Sequence, residues 1–185
     1  MTLTTTALRR EATLADWEAT PDDGRRYELI EGTIYVSPAP MTPHQRCVGN
    51  LFVALRAACP RGHEVFISPV DLRLPGDQMV EPDLVVAPYS SDVVKHLVLP
   101  VLLVVEIVSP GSRYHDTVRK RAAYAAAGIE HYWLVDGSVA PARFSALRLA
   151  GGRYEAVAGG TADIALDEPV PVRIGCVDDL FRPPG

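Results

Sequence analysis

The chain has 185 residues, 48% apolar and 22% charged, with a net charge of −5. A chain of this length buries about 70% of its unfolded surface on folding and needs no disulfide to hold a core; the composition excludes disorder and fibrous classes. An acidic balance argues against a broad nucleic-acid-coating surface, though not against a local basic site.

Residues 1–12 are polar and Thr-rich and are expected to fray. Thr13 is placed to cap a short helix over Leu14–Glu18. Tyr27–Val36 reads as two strands around a turn at Glu31-Gly32. Ser37–Pro43 holds three prolines and is irregular. From His44 to Cys59, Val48, Leu51, Phe52 and Leu55 recur at helical spacing, and Pro60 and Gly62 stop the helix. Glu64–Leu74 and Met79–Ala87 read as two strands of a hairpin about Pro75-Gly76-Asp77. Pro100–Val108 is a near-continuous apolar run, the pattern of a buried central strand. Arg113–Ala127 reads as a helix ended by Gly128 in the left-handed region, and Ile129–Asp136 as a further strand. Residues 137–185 offer short strands and read as a β-rich extension packed on the main sheet. The whole is expected to be a single domain over 1–185, with its core over 13–136.

No stretch of 18 apolar residues exists; the longest candidate, Leu97–Val108, contains Pro100 and Glu106. The N-terminus has no apolar core of a signal peptide, and Cys47, Cys59 and Cys176 form no CxxC pair. A cytoplasmic protein without membrane contact is expected.

Glu106 is the most informative residue, because it interrupts Leu102–Val108. An unpaired buried charge costs several kcal/mol, so it needs a cation, a hydrogen-bond network or a raised pKa. The alternative is a strand-end glutamate that reaches solvent. Asp83 opens the apolar Leu84–Ala87, with Glu81 two residues earlier on the same face. Two strands that each deliver a carboxylate can hold a hard divalent ion. Arginine outnumbers lysine sixteen to two, which makes Lys120 conspicuous. Asp116, Lys120 and Tyr124 are spaced four apart, and the alternative for them is a solvated salt-bridge stripe. Arg119 and Arg121 flank Lys120 and either meet phosphates or solubilise the helix. His44 stands near a helix N-terminus, which favours anions. The other histidines have no ligand spacing, and no serine-hydrolase, dinucleotide or zinc pattern is present.

Taken in order, Tyr27–Gly32, Ser37–Pro40 with His44, Glu81–Val86, Val105–Ser112, Asp116-x₃-Lys120-x₃-Tyr124 and Ala126–Asp136 resemble the Uma2 family of restriction endonuclease-like proteins, within the PD-(D/E)XK nuclease superfamily. The similarity covers roughly residues 13–150. It implies an α/β (α+β) fold, a restriction-endonuclease-like mixed sheet flanked by helices. It also implies an Mg²⁺-dependent endonuclease acting on DNA, with Mn²⁺ as a substitute. Asp83 and Glu106 would be the metal carboxylates, with the Ile107 carbonyl a candidate further ligand. The superfamily's lysine two residues after the glutamate is absent, since that position is Val108; Lys120 resembles the family's relocated lysine. Glu28 and His44 match family positions near the site. The alternative is a catalytically inactive relative that binds DNA or a protein partner. A symmetric homodimer is compatible with double-strand cleavage, although the sequence itself shows no interface.

Overall fold

The structure, a computed structural model, describes residues 11–92 and 95–183. The expectation for residues 1–12 therefore falls, up to position 10, outside the described residues. Helix α1 (Leu14–Glu18) starts as expected. The Thr13 hydroxyl accepts from the Asp16 amide, and the Asp16 carboxylate accepts from the Thr13 amide at 2.7 Å, a reciprocal cap that satisfies two orphan donors. Trp17 then donates its indole N–H to the Tyr27 carbonyl at 2.6 Å and pins α1 to strand β1 (Arg26–Ile30). The turn to β2 (Thr33–Ser37) places both Glu31 (φ 48°) and Gly32 (φ 68°) in the left-handed region, as tight hairpins require.

Helix α2 spans Thr42–Ala58 and begins with Pro43 in its first turn, so His44 also stands in the first turn. The two long strands expected next are each divided. The first splits into β3 (His63–Ile67) and β4 (Leu72–Leu74), the second into β5 (Gln78–Val80) and β6 (Leu84–Pro88). Pro69 and Pro82 lie in the two breaks. Neither has an N–H to donate to a ladder. The hairpin forks there: β4 and β5 pair in a four-stranded sheet of order β2-β1-β5-β4, while β3 and β6 pair in a second, larger sheet.

The larger sheet is completed by β7 (Leu103–Val108), β8 (His131–Asp136), β9 (Arg143–Ala150) and β10 (Arg153–Gly160), in the order β10-β9-β8-β7-β6-β3. Strand β7 is buried along its whole length and runs parallel to β8. The crossover between them is not one regular α-helix over Arg113–Ala127. It is a π-helical turn over His115–Lys120 followed by α3 (Arg121–Ala126). Such widened turns are rare and cluster at functional sites. Gly128 (φ 75°) ends the helix as expected.

The C-terminal extension is β-rich but only half of it joins the main sheet. β9 and β10 continue that sheet, whereas β11 (Ala162–Leu166) and β12 (Val172–Cys176) pair only with each other. The sheet separates two apolar layers. On one face α2 packs with β11 and β12 around Leu51, Leu55, Trp133 and Ile174; on the other, the small sheet and α3 pack around Ile30, Val80, Val104 and Tyr124. No helix among the described residues is long and apolar enough to cross a membrane.

Candidate active site

Strand alternation puts Asp83 and Glu106 on the same face of the large sheet. Val85 and Ala87 on β6, and Val104 and Val108 on β7, all face the layer containing the small sheet and α3. The antiparallel register Leu84↔Val105, continued by one residue, sets Asp83 opposite Glu106. Glu28 reaches the same place from β1 of the small sheet, and Lys120 from the π-helical turn. All four are 1% exposed, and Asp116 is 4% exposed. This excludes a solvent-reaching glutamate at position 106 and a solvated stripe through Lys120.

Lys120 holds the cluster together. Its Nζ lies 2.8 Å from Glu28 Oε1, 2.9 Å from Glu106 Oε1 and 4.0 Å from Asp116 Oδ1. Tyr124 donates its hydroxyl to Glu106 Oε1 at 2.6 Å. Glu28 Oε1 also accepts the Glu81 amide at 2.8 Å, and its Oε2 lies 2.8 Å from His115 Nε2. Asp83 Oδ2 accepts the Ile107 amide at 2.8 Å and lies 3.2 Å from His44 Nε2; Oδ1 pairs with Arg26 at 3.1 Å. Arg26 also meets Glu81 at 3.0 Å. His44 and His115 each keep a buried Nδ1 with no hydrogen-bond partner among the described residues.

These contacts split the carboxylates into two kinds. Burial raises the Glu28 carboxyl, but Lys120 and His115 outweigh it and hold its pKa at about 2. For Asp83, burial is likewise outweighed by His44 and Arg26, and its pKa also falls to about 2. For Glu106, burial prevails over Lys120, and neighbouring Asp83 and Asp116 add to it, so its pKa lies well above the carboxylate range. Lys120 is raised despite burial, because Glu106 and Glu28 favour its charge. Glu106 is therefore the member that the available positive charge leaves uncompensated.

The Glu28 shift has a testable sign. Its folded pKa lies below the ordinary value of 4.5, so the stability it contributes is present above that pH and is lost as pH falls toward about 2. Urea unfolding followed across this window should show a steep loss in the wild type and a shallower one in Glu28→Gln.

The donors suit a hard divalent cation. Five carboxylates (Glu28, Glu81, Asp83, Glu106 and Asp116) face two fixed cations, Arg26 and Lys120. Oxygen donors and surplus negative charge are what Mg²⁺ or Mn²⁺ requires, and Mg²⁺ commonly takes only one or two carboxylates, with waters and substrate completing its shell. Among the described residues no three His, Cys, Asp or Glu side chains converge as a ready-made cage. Above the cluster lies a cleft of about 570 Å³. Pro38, Pro40, Met41 and Pro110 line it, together with Glu28, Asp83, His115 and Lys120. Glu106 does not line this cleft; Lys120, which it grips, does.

All five candidates from the sequence, Glu28, His44, Asp83, Glu106 and Lys120, come together here. Arg26 and His115 do not stand out in the sequence. Arg26 lies two residues before Glu28 on the same strand face, a signal that alternation could have supplied. His115 escapes a search for ligand spacing because its partner, Glu28, is 87 residues away.

Residues 12–175 match the Uma2 family, described as "Putative restriction endonuclease". A crystal structure from Anabaena variabilis ATCC 29413, of a "putative nuclease belonging to DUF820", superposes with a TM-score of 0.72 at 19% sequence identity. The match covers 91% of this chain and 97% of that one, and shows a shared fold. No curated protein matches the sequence. With nearly its whole described length accounted for by the family, from α1 to the last strand, this chain belongs to Uma2.

Proposed function

We propose that this protein is a metal-dependent endonuclease that hydrolyses DNA phosphodiester bonds. The observation that carries the reading is the meeting of Asp83, Glu106 and Lys120, from two adjacent strands and a π-helical turn, in one buried acidic cluster beneath a cleft. Membership of a family with a restriction-endonuclease description supports it.

Asp83 and Glu106 are the residues to hold Mg²⁺, with Mn²⁺ as a substitute. The ion supplies Lewis acidity at the phosphate and lowers the pKa of a bound water. The chain's own contribution is orientation and charge. The Ile107 amide and Arg26 fix the Asp83 carboxylate from two directions. Lys120 places a positive charge at the cleft floor, where it neutralises charge developing on the phosphate or orients the attacking water. Glu28, from the other sheet, holds the Lys120 ammonium together with Glu106. His44, against Asp83, lines the cleft and is placed to meet a phosphate oxygen.

Plasmid and single-stranded DNA incubated with Mg²⁺, Mn²⁺ or EDTA test this reading. Cleavage is expected with either metal, none with EDTA, and at least a hundredfold loss in Asp83→Asn, about the scale of removing one preorganised charged contact. Cleavage that persists in EDTA, or at wild-type rate in Asp83→Asn, contradicts it.

A second reading is favoured by the engagement of Lys120 with two carboxylates and by the absence of Glu106 from the cleft lining. A catalytically inactive relative would bind DNA or a protein partner through the same cleft. DNA binding equal with and without metal, and no cleavage of any DNA form, would favour that reading. A homodimer, giving two sites for double-strand cleavage, belongs to the nuclease reading and is checked by mass in solution.

A further inference from the structure

Next to the cleft lies a cluster that the reaction chemistry does not use. The Arg119 guanidinium sits 4.6 Å from the Tyr35 ring centroid and 4.9 Å from that of Tyr114. Tyr35 in turn packs on His115, ring centroids 4.8 Å apart, and His115 lines the cleft. Tyr114 is 61% exposed.

Stacking engages the flat faces of a guanidinium and leaves its edge, which carries the N–H donors, free to fork an anion. No carboxylate pairs with Arg119 among the described residues, whereas Arg113, Arg148, Arg173 and Arg182 all have acidic partners. The neighbouring Arg121 is spent on the Tyr154 carbonyl at 2.7 Å. Arg119 is thus a preorganised, uncommitted cation in a protein of net charge −5. It is linked to Lys120 by four successive contacts, through Tyr35, His115 and Glu28.

We infer that Arg119 and Tyr114 form a docking platform for an unpaired nucleotide next to the scissile phosphate, so that the preferred substrate is single-stranded DNA or a single-stranded segment. Arg119 takes a phosphate on its edge and the exposed Tyr114 ring takes a base on its face. Stacking needs a base free of its duplex partner and tolerates any base identity. A duplex-tracking surface needs several phosphate-neutralising side chains, and on this turn the flanking Arg113 and Arg121 are tied to Asp136 and to the Tyr154 carbonyl. The cleft's apolar walls of Pro38, Pro40, Met41 and Pro110 and its volume of about 570 Å³ suit an unstacked nucleotide, within the roughly 300–1,000 Å³ of ligand pockets.

The inference rests on the nuclease reading for its place in the reaction, and the test separates the two. Fluorescence anisotropy with a labelled single strand, and with the same strand annealed to its complement, is measured in Ca²⁺ for wild type, Tyr114→Ala, Tyr114→Phe and Arg119→Ala. Tighter binding of the single strand is expected, with about a tenfold loss in both alanine variants, the scale of one base stack, and retention in Tyr114→Phe. Equal or tighter binding of the duplex, unchanged binding in the alanine variants, or no binding of either form overturns the platform. Cleavage of plasmid and single strand in Mg²⁺ by the same proteins distinguishes the failures. Wild-type cleavage unchanged in the alanine variants leaves the nuclease and removes the platform. Stacking-dependent binding with no cleavage leaves the platform and removes the nuclease.

Discussion

Lys120→Ala is expected to abolish cleavage and to lower folding stability by about 3–5 kcal/mol, the scale of leaving a buried ion-pair partner uncompensated. Its ammonium is 1% exposed and touches carboxylates from β1 and β7. Removing it takes from Glu106 and Asp116 the charge that opposes their burial, while Glu28 keeps His115 and the Glu81 amide. The folded pKa values of Glu106 and Asp116 then lie above the unfolded ones. A group raised in this way contributes stability below its unfolded pKa and loses it as pH rises through the folded value. The deficit of the variant should therefore be small near pH 5 and grow toward pH 8. Urea unfolding at the two pH values measures it, and a deficit that shrinks as pH rises would contradict the buried-cluster account. Lys120→Arg should not restore activity, because a planar fork cannot replace a compact ammonium between two oxygens.

Glu106→Gln should separate function from stability in the opposite way. Loss of a metal carboxylate costs about a thousandfold in rate, the equivalent of about 4 kcal/mol. Stability should not follow. Burial holds the Glu106 pKa above its unfolded value, with Asp83 and Asp116 adding to the effect. Ionising it thus destabilises the wild type progressively as pH rises through that folded value. A neutral glutamine keeps an acceptor for Lys120 or Tyr124 and has nothing to ionise. The variant should match the wild type near pH 5 and exceed it in alkaline buffer. Calorimetric titration with Mn²⁺ checks the other half of the argument: heat of binding should disappear in Glu106→Gln. An active variant, or one that still binds Mn²⁺ as the wild type does, overturns the proposed assignment of Glu106 to a metal site.

The parts of this molecule legible in the sequence are those where a residue conflicts with its local surroundings. A carboxylate inside Leu102–Val108 needs a cation, a hydrogen-bond network or a raised pKa, and Glu106 has the Lys120 and Tyr124 contacts together with a raised pKa. Thr13 ahead of Leu14–Glu18 reads as a helix cap, and it is one, with the Asp16 carboxylate completing it. The forked hairpin was not legible. Period-two alternation reads the same whichever sheet a strand joins, so the runs through Pro69 and Pro82 read as two unbroken strands. The π-helical turn was hidden for a similar reason, since the spacing Asp116, Lys120, Tyr124 is that of an ordinary helix. Arg26 and His115 depend on partners 55 or more residues away, which no local pattern contains. The separation of β11 and β12 from the main sheet is likewise decided by tertiary packing.

The fork at Glu81-Pro82-Asp83 makes the reaction geometry a property of two independent surfaces. Glu28 rides on the small sheet, Asp83 and Glu106 on the large one, and Lys120 spans them. The distance from Glu28 to Asp83 and Glu106 is thereby set by the thickness of the layer between the sheets, which Ile30, Leu72, Val80 and Val104 fill. A methylene gained or lost in that layer works like a shim under one jaw of a vice. Drift among aliphatic side chains can retune such an enzyme, or silence it, while every polar residue stays in place.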